Sequence, residues 1–182
     1  MMDNLDTINA RFNDELQKYI DGTLPTNKRF ELGFPRGVLS EQIEKLPLYA
    51  NQGILKKAQK KHGIELNELK NLPIQLSDPL FVFNSKNGTS KTVLIDAKDS
   101  QGRNVLAAIE FSSIKIDAKR ELEVNDIKSL HGKDFEKILH WIDNGLLLFE
   151  NKKKSSGFLI CNRAQFPSSD RNRNLDEQIS NG

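Results

Sequence analysis

The chain has 182 residues, 37% of them apolar, and 27 Lys and Arg against 25 Asp and Glu leave a formal charge of +2. That length suits one domain with tails, and the apolar fraction suffices for a core, which excludes a wholly disordered chain. The net charge is too small to argue by itself for nucleic-acid binding, so any basic site must come from local clustering.

A single cysteine, Cys161, excludes an intramolecular disulfide framework, and the three scattered histidines make no zinc signature. No apolar run approaches the roughly 20 residues that span a bilayer. The opening residues 1–12 lack the basic and then apolar regions of a secretory signal. The expectation is a cytoplasmic protein that needs no metal, no other cofactor and no membrane.

The first predicted element is a helix. Leu5, Ile8, Phe12, Leu16, Tyr19 and Ile20 recur at spacings of three and four, Asp6 or Thr7 is available as N-cap, and Gly22 stops the element. Residues 21–37 contain Pro25, Pro35, Gly22, Gly33 and Gly37, which predicts an irregular connection. Ser40, followed by Gln42 and Glu44, opens a short helical segment. Residues 52–61 form another that carries Lys56, Lys57, Lys60 and Lys61, and residues 65–70 add a further turn. Pro73 and Pro79 are expected to end this helical half, because proline lacks a donor and biases its predecessor away from the helical region.

From Leu80 the period changes. Residues 80–83 read as a buried strand, Asn87-Gly88 as a hairpin turn, and residues 92–97 as the next strand. Residues 100–103 turn the chain again, 104–111 form a long apolar strand, and 121–127 alternate as a strand with one solvated face. Phe135, Ile138, Leu139 and Ile142 mark a helix over 134–143, ended by Asn144-Gly145. Residues 146–150 give another strand, the apolar run 158–161 one more, and the polar segment from Ser168 a tail.

Helices first, then an antiparallel sheet interrupted by one helix, predicts an α+β fold. The sequence contains no dinucleotide-binding glycine fingerprint, no Walker loop, no HExxH and no GxSxG.

Residues 78–85, 93–99 and 102–109 resemble the C-terminal domain that accompanies phage MuF head-morphogenesis proteins. Residues 125–134, Trp141-Ile142 and 145–154 look like the strand, helix and strand that end that domain. The resemblance covers about residues 46–156. The N-terminal segments 12–17 and 20–25 are also similar to relatives associated with mobile elements of gut Bacteroidales. The MuF C-terminal family is grouped with the barnase, EndoU and RelE-like nuclease fold. The resemblance therefore implies N-terminal helices packed on a four- to five-stranded antiparallel sheet, and metal-independent RNA cleavage. It divides the chain into a helix and irregular arm (1–37), a nuclease-fold domain (38–162) and a polar tail (163–182). His131 and Phe149 stand where relatives carry tyrosine.

Cleaving RNA without a metal needs a base for the 2′-hydroxyl proton, an acid for the leaving oxygen, and cations for the phosphate. His131, expected on a loop between a strand ending near Ser129 and a helix starting near Asp134, suits the proton transfers. Lys133, at the start of that helix, and Lys98, at the end of a strand, suit the phosphate. Ser85 is a candidate phosphate ligand or a turn cap. Lys152, Lys153 and Lys154 are a candidate RNA-backbone contact or a solvated face. Asp96 and Glu110 are either candidate bases or outward-facing polar residues. His62 and His140 read as surface residues, Trp141 as partly buried and packed on the core. Two functions follow: an endoribonuclease of toxin type from a phage or mobile genetic element, with RNA and an immunity or element-encoded protein as partners, or an inactive module on the same scaffold that binds protein or nucleic acid.

Overall fold

The computed structural model describes residues 4–117 and 119–163. Helix α1 (Leu5–Ile20) is capped by Asn4, whose side chain accepts from the Thr7 N–H at 2.8 Å, rather than by Asp6 or Thr7. Its apolar stripe buries Ile8, Phe12 and Leu16. Residues 21–37 are not wholly irregular: Phe30–Gly33 form strand β1, which pairs antiparallel with β2 (Leu48–Ala50) across a short helix α2 (Leu39–Gln42). Neither strand is legible in the sequence, because the alternation of Phe30 with Leu32 and of Leu48 with Ala50 spans only three or four residues beside prolines and glycines.

Helix α3 (Gln52–Lys60), a 3-10 turn (Leu66–Leu69) and α4 (Leu72–Ser77) follow. Pro73 lies in the first turn of α4 rather than ending the helical half, a position where its missing N–H has no partner to lose. Before it, Asn71 has a left-handed backbone (φ 63°). Its side-chain oxygen accepts from the amides of Asn9 and Asn13 at 2.8 and 2.9 Å, and its N–H donates to Asn13 at 2.8 Å, bracing α4 against α1.

Strands β3 (Phe81–Asn84), β4 (Ser90–Lys98), β5 (Asn104–Asp117) and β6 (Arg120–Gly132) form the expected meander. Helix α5 (Phe135–Asp143) and β7 (Leu147–Glu150) come next. The run beginning at Phe158 is helical, within α6 (Lys152–Arg163), and not a strand. Asn151 opens this helix by accepting from the Lys154 N–H at 3.2 Å. A short apolar run cannot by itself separate buried helix from buried strand. Residues 164–182, most of the predicted polar tail, lie outside the described residues.

The fold is α+β, with the N-terminal helices packed on a seven-stranded sheet ordered β1-β2-β6-β5-β4-β3-β7. That is more strands than the four or five expected, because β1 and β2 extend the sheet. One pair, β2 with β6, is parallel.

The faces follow from the register. Val93, Ala107 and Leu130 are paired across β4, β5 and β6 and lie in the larger core, beneath α1, α3 and α4. Leu94, Leu106 and His131 form the adjacent row, pointing the other way, and Leu94 and Leu106 pack with α5 and Phe158 of α6. On this second face, the part over β2, β6 and β5 carries Tyr49, Asp126, Glu110, Ser129 and His131 instead of a second apolar layer. The smaller core stops at Leu106, and a polar strip begins.

Candidate functional site

Three connections meet at the end of β6. The first follows α3, where Gly63 (φ 63°) turns the chain after His62. The second is the β4–β5 turn, whose Ser100 N–H donates to the Gly63 carbonyl at 2.8 Å and so fixes the first connection to the second. The third is the β6–α5 junction, where the Lys133 N–H donates to the Asn104 carbonyl at 3.2 Å. The result places the His62 ring 5.5 Å from the His131 ring, centroid to centroid, with the planes tilted by 44°. His131 belongs to β6, paired with Leu106, and is not on a loop as expected. The strand runs three residues beyond Ser129, because the β5 pairing continues to Gly132.

Asp99 organises the β4–β5 turn. Its side chain is almost fully buried, and its Oδ1 accepts from the N–H groups of Gln101 and Arg103, both at 2.9 Å. The Arg103 guanidinium donates through Nε to Asp99 at 2.8 Å and through Nη1 to Asp134 at 2.9 Å, joining the turn to the start of α5. These contacts raise the Arg103 pKa, with the Asp134 hydrogen bond first, and hold the Asp134 carboxyl below its ordinary range. A cleft of about 330 Å³ opens here, lined by Arg103, Asn104, Lys133, Asp134, Lys137 and Phe158 among others.

The electrostatics of His131 are those of an imidazole held neutral. Burial lowers its pKa first, and the surrounding positive charges of Lys133, His62, Arg103 and Lys137 lower it further. Burial also lowers the Lys133 pKa, with Lys137 adding to the effect. The Lys133 ammonium lies 4.6 Å from the centroid of the Trp141 ring. A neutral ring nitrogen beside cations can accept a proton while the cations meet an anion, which is the division of labour that phosphodiester chemistry requires.

The other predicted residues are dispersed. Lys98 is exposed at the end of β4 and its N–H donates to Glu68 at 3.3 Å. It pairs with Asn104, so β5 stands between it and Lys133. Ser85 caps its turn: Oγ donates to Asn87 at 2.8 Å and accepts from the Ser90 N–H at 3.1 Å. Lys152 and Lys153 are exposed in the first turn of α6, whereas Lys154 is held by Asp96 at 2.7 Å and Asp78 at 3.1 Å. Asp96 is thereby an ion-pair partner, and Glu110 is half-buried in the polar strip beside Asp126. Trp141 is half-buried and packs against the smaller core, as expected.

His62 is exposed, as expected of a surface residue, yet its ring lies against His131; Arg103 and Lys137, absent from the sequence candidates, act on His131 through their charge. A larger cleft of about 630 Å³ lies at the opposite end, between residues 40–45 and 88–91; no histidine lines either cleft, so the His62–His131 pair sits beside the smaller one rather than in its wall. Among the described residues no three His, Cys, Asp or Glu side chains group to hold a metal ion, and no helix is long and apolar enough to cross a membrane.

Comparison with curated proteins and with solved structures gives no match. The family model described as the phage MuF C-terminal domain matches residues 53–157, a span that includes His62, Arg103, His131, Lys133 and Trp141. That match covers more than half of the chain, which therefore belongs to the phage MuF C-terminal domain family and is a phage-related module.

Proposed function

We propose that this domain is a metal-independent endoribonuclease and that the paired imidazoles of His62 and His131 perform its proton transfers. The observation that carries the reading is the 5.5 Å approach of the two rings inside a group of cations. His131, held neutral, takes the proton of the ribose 2′-hydroxyl. The 2′-oxygen then attacks the adjacent phosphorus, and His62 in its protonated form gives a proton to the departing 5′-oxygen. The products are a 2′,3′-cyclic phosphate and a free 5′-hydroxyl. Lys133 and Lys137 stabilise the charge on the phosphate. The exposed lysines of α3, Lys56, Lys57 and Lys60, with Lys61 just after it, lead toward His62 and supply a basic approach for the RNA backbone.

The test is incubation of the protein with total RNA in EDTA beside the His131→Ala and His62→Ala variants. Fragments ending in 2′,3′-cyclic phosphate are expected from the parent alone. Intact RNA after prolonged incubation, or full activity in both variants, overturns the reading.

The second reading is an inactive module that binds protein or nucleic acid. It is favoured by the engagement of Arg103 with two carboxylates and of Lys133 with Trp141, which leaves these cations satisfied internally. Retained RNA binding without cleavage selects it.

A further inference from the structure

Trp141 is the only tryptophan of the chain and stands on α5 beside the buried stripe of Phe135, Ile138, Leu139 and Ile142. It is half-buried, and Phe83 meets it edge to face at 5.4 Å and 62°, which fixes the orientation of the indole. Over the ring lies the ammonium of Lys133. Lysine is a flexible four-carbon chain ending in a point charge, so this cover is movable, unlike the aromatic packing at the edge. A positioned, electron-rich face under a removable cation, in the same electrostatic group as His131, is what a nucleobase needs for stacking.

We propose that Trp141 is a stacking platform for one base of a single-stranded nucleic acid, and that the arriving base displaces the Lys133 ammonium onto the phosphate of the bound strand. This rests on the reading of the β6–α5 end as a nucleic-acid site, and deepens it by assigning the substrate class. Single strands are selected because their bases offer free faces, whereas those of a duplex are already stacked on one another. The exchange also couples recognition to chemistry: the cation reaches the phosphate when a base occupies the indole.

A single tryptophan makes the test direct. A single-stranded 2′-O-methyl oligoadenylate cannot be cleaved through its 2′-oxygen, so its binding is read separately from catalysis. It is expected to quench the emission of Trp141 saturably, while a blunt 2′-O-methyl duplex of equal length leaves the emission nearly unchanged. By fluorescence anisotropy of a labelled strand, Trp141→Ala weakens binding about 5- to 100-fold, the range of one base–aromatic stack, and Trp141→Phe recovers most of it. Oligoadenylate that binds without altering the emission overturns the proposal, as does no binding or equal quenching by the duplex. Quenching without cleavage of ordinary RNA refutes the ribonuclease alone. Cleavage with an unaltered emission refutes the stacking platform alone.

Discussion

The Asp99 carboxylate fills the space that a side chain at position 132 would occupy: a Cβ built on Gly132 collides with Asp99 Oδ2. The last residue of β6 is thus bare so that the β4–β5 turn can close over it, and the position of Arg103 depends on that closure. Gly132→Ala must push the carboxylate out of its two backbone hydrogen bonds. A loss of about 1–3 kcal/mol is expected, as for other overpacked sites, and urea denaturation measures it. A variant as stable as the parent contradicts the geometry.

Arg103 is expected to resist conservative replacement. Arg103→Ala strands the buried Asp99 charge, which should cost about 1–3 kcal/mol. Lysine cannot reproduce the two-pronged contact with Asp99 and Asp134, so Arg103→Lys should recover less than half of the loss. Denaturation curves of the two variants side by side decide this.

The stability should depend on pH through His131. Its folded pKa lies below the ordinary 6.5, so the unfolded chain binds the proton first as pH falls. The stabilisation is therefore complete above about pH 6.5 and is lost as pH falls below that value toward the folded pKa. His131→Gln removes this titration and should narrow the difference in urea midpoint between pH 7.5 and pH 5.5. An imidazole resonance titrating above 6.5 in the folded protein would contradict the expected direction.

Asn71 separates backbone strain from hydrogen bonding. Asn71→Ala loses the side-chain contacts to Asn9 and Asn13 and places a Cβ residue in the left-handed region, whereas Asn71→Gly loses only those contacts. The alanine variant should be less stable than the glycine variant by about 1 kcal/mol. Thermal melts under identical conditions provide the comparison.

Much of this architecture is legible in the sequence where one residue type repeats with a period. Ile8, Phe12 and Leu16 announce α1, and Phe135, Ile138 and Ile142 announce α5, because burial along one stripe imposes that spacing. Lys133 is legible as a candidate because the period of Phe135, Ile138 and Ile142 marks the helix that it opens. His62 is not, since its place beside His131 depends on the hydrogen bond from Ser100 to Gly63, a contact between distant segments that leaves no local pattern. Strand β2 is similar: Leu48 and Tyr49 become a strand through pairing with Asn125 and Asp126. The Asn151 cap was the available sign of α6, hidden by the apolar run after it.

The segment before Gly53 lies outside the matched family span, yet Phe12, Leu16, Phe30, Leu32 and Leu48 interlock with Leu55, Val93 and Ile127 in one core. Ancestry and cooperativity therefore have different borders in this chain. A chimera that exchanged residues 53–157 for those of another family member would replace His62 and His131 together, and would seat the incoming segment on this chain's own α1 and β1. Its melting would then report how well the volumes along that seam agree, independently of any catalytic residue.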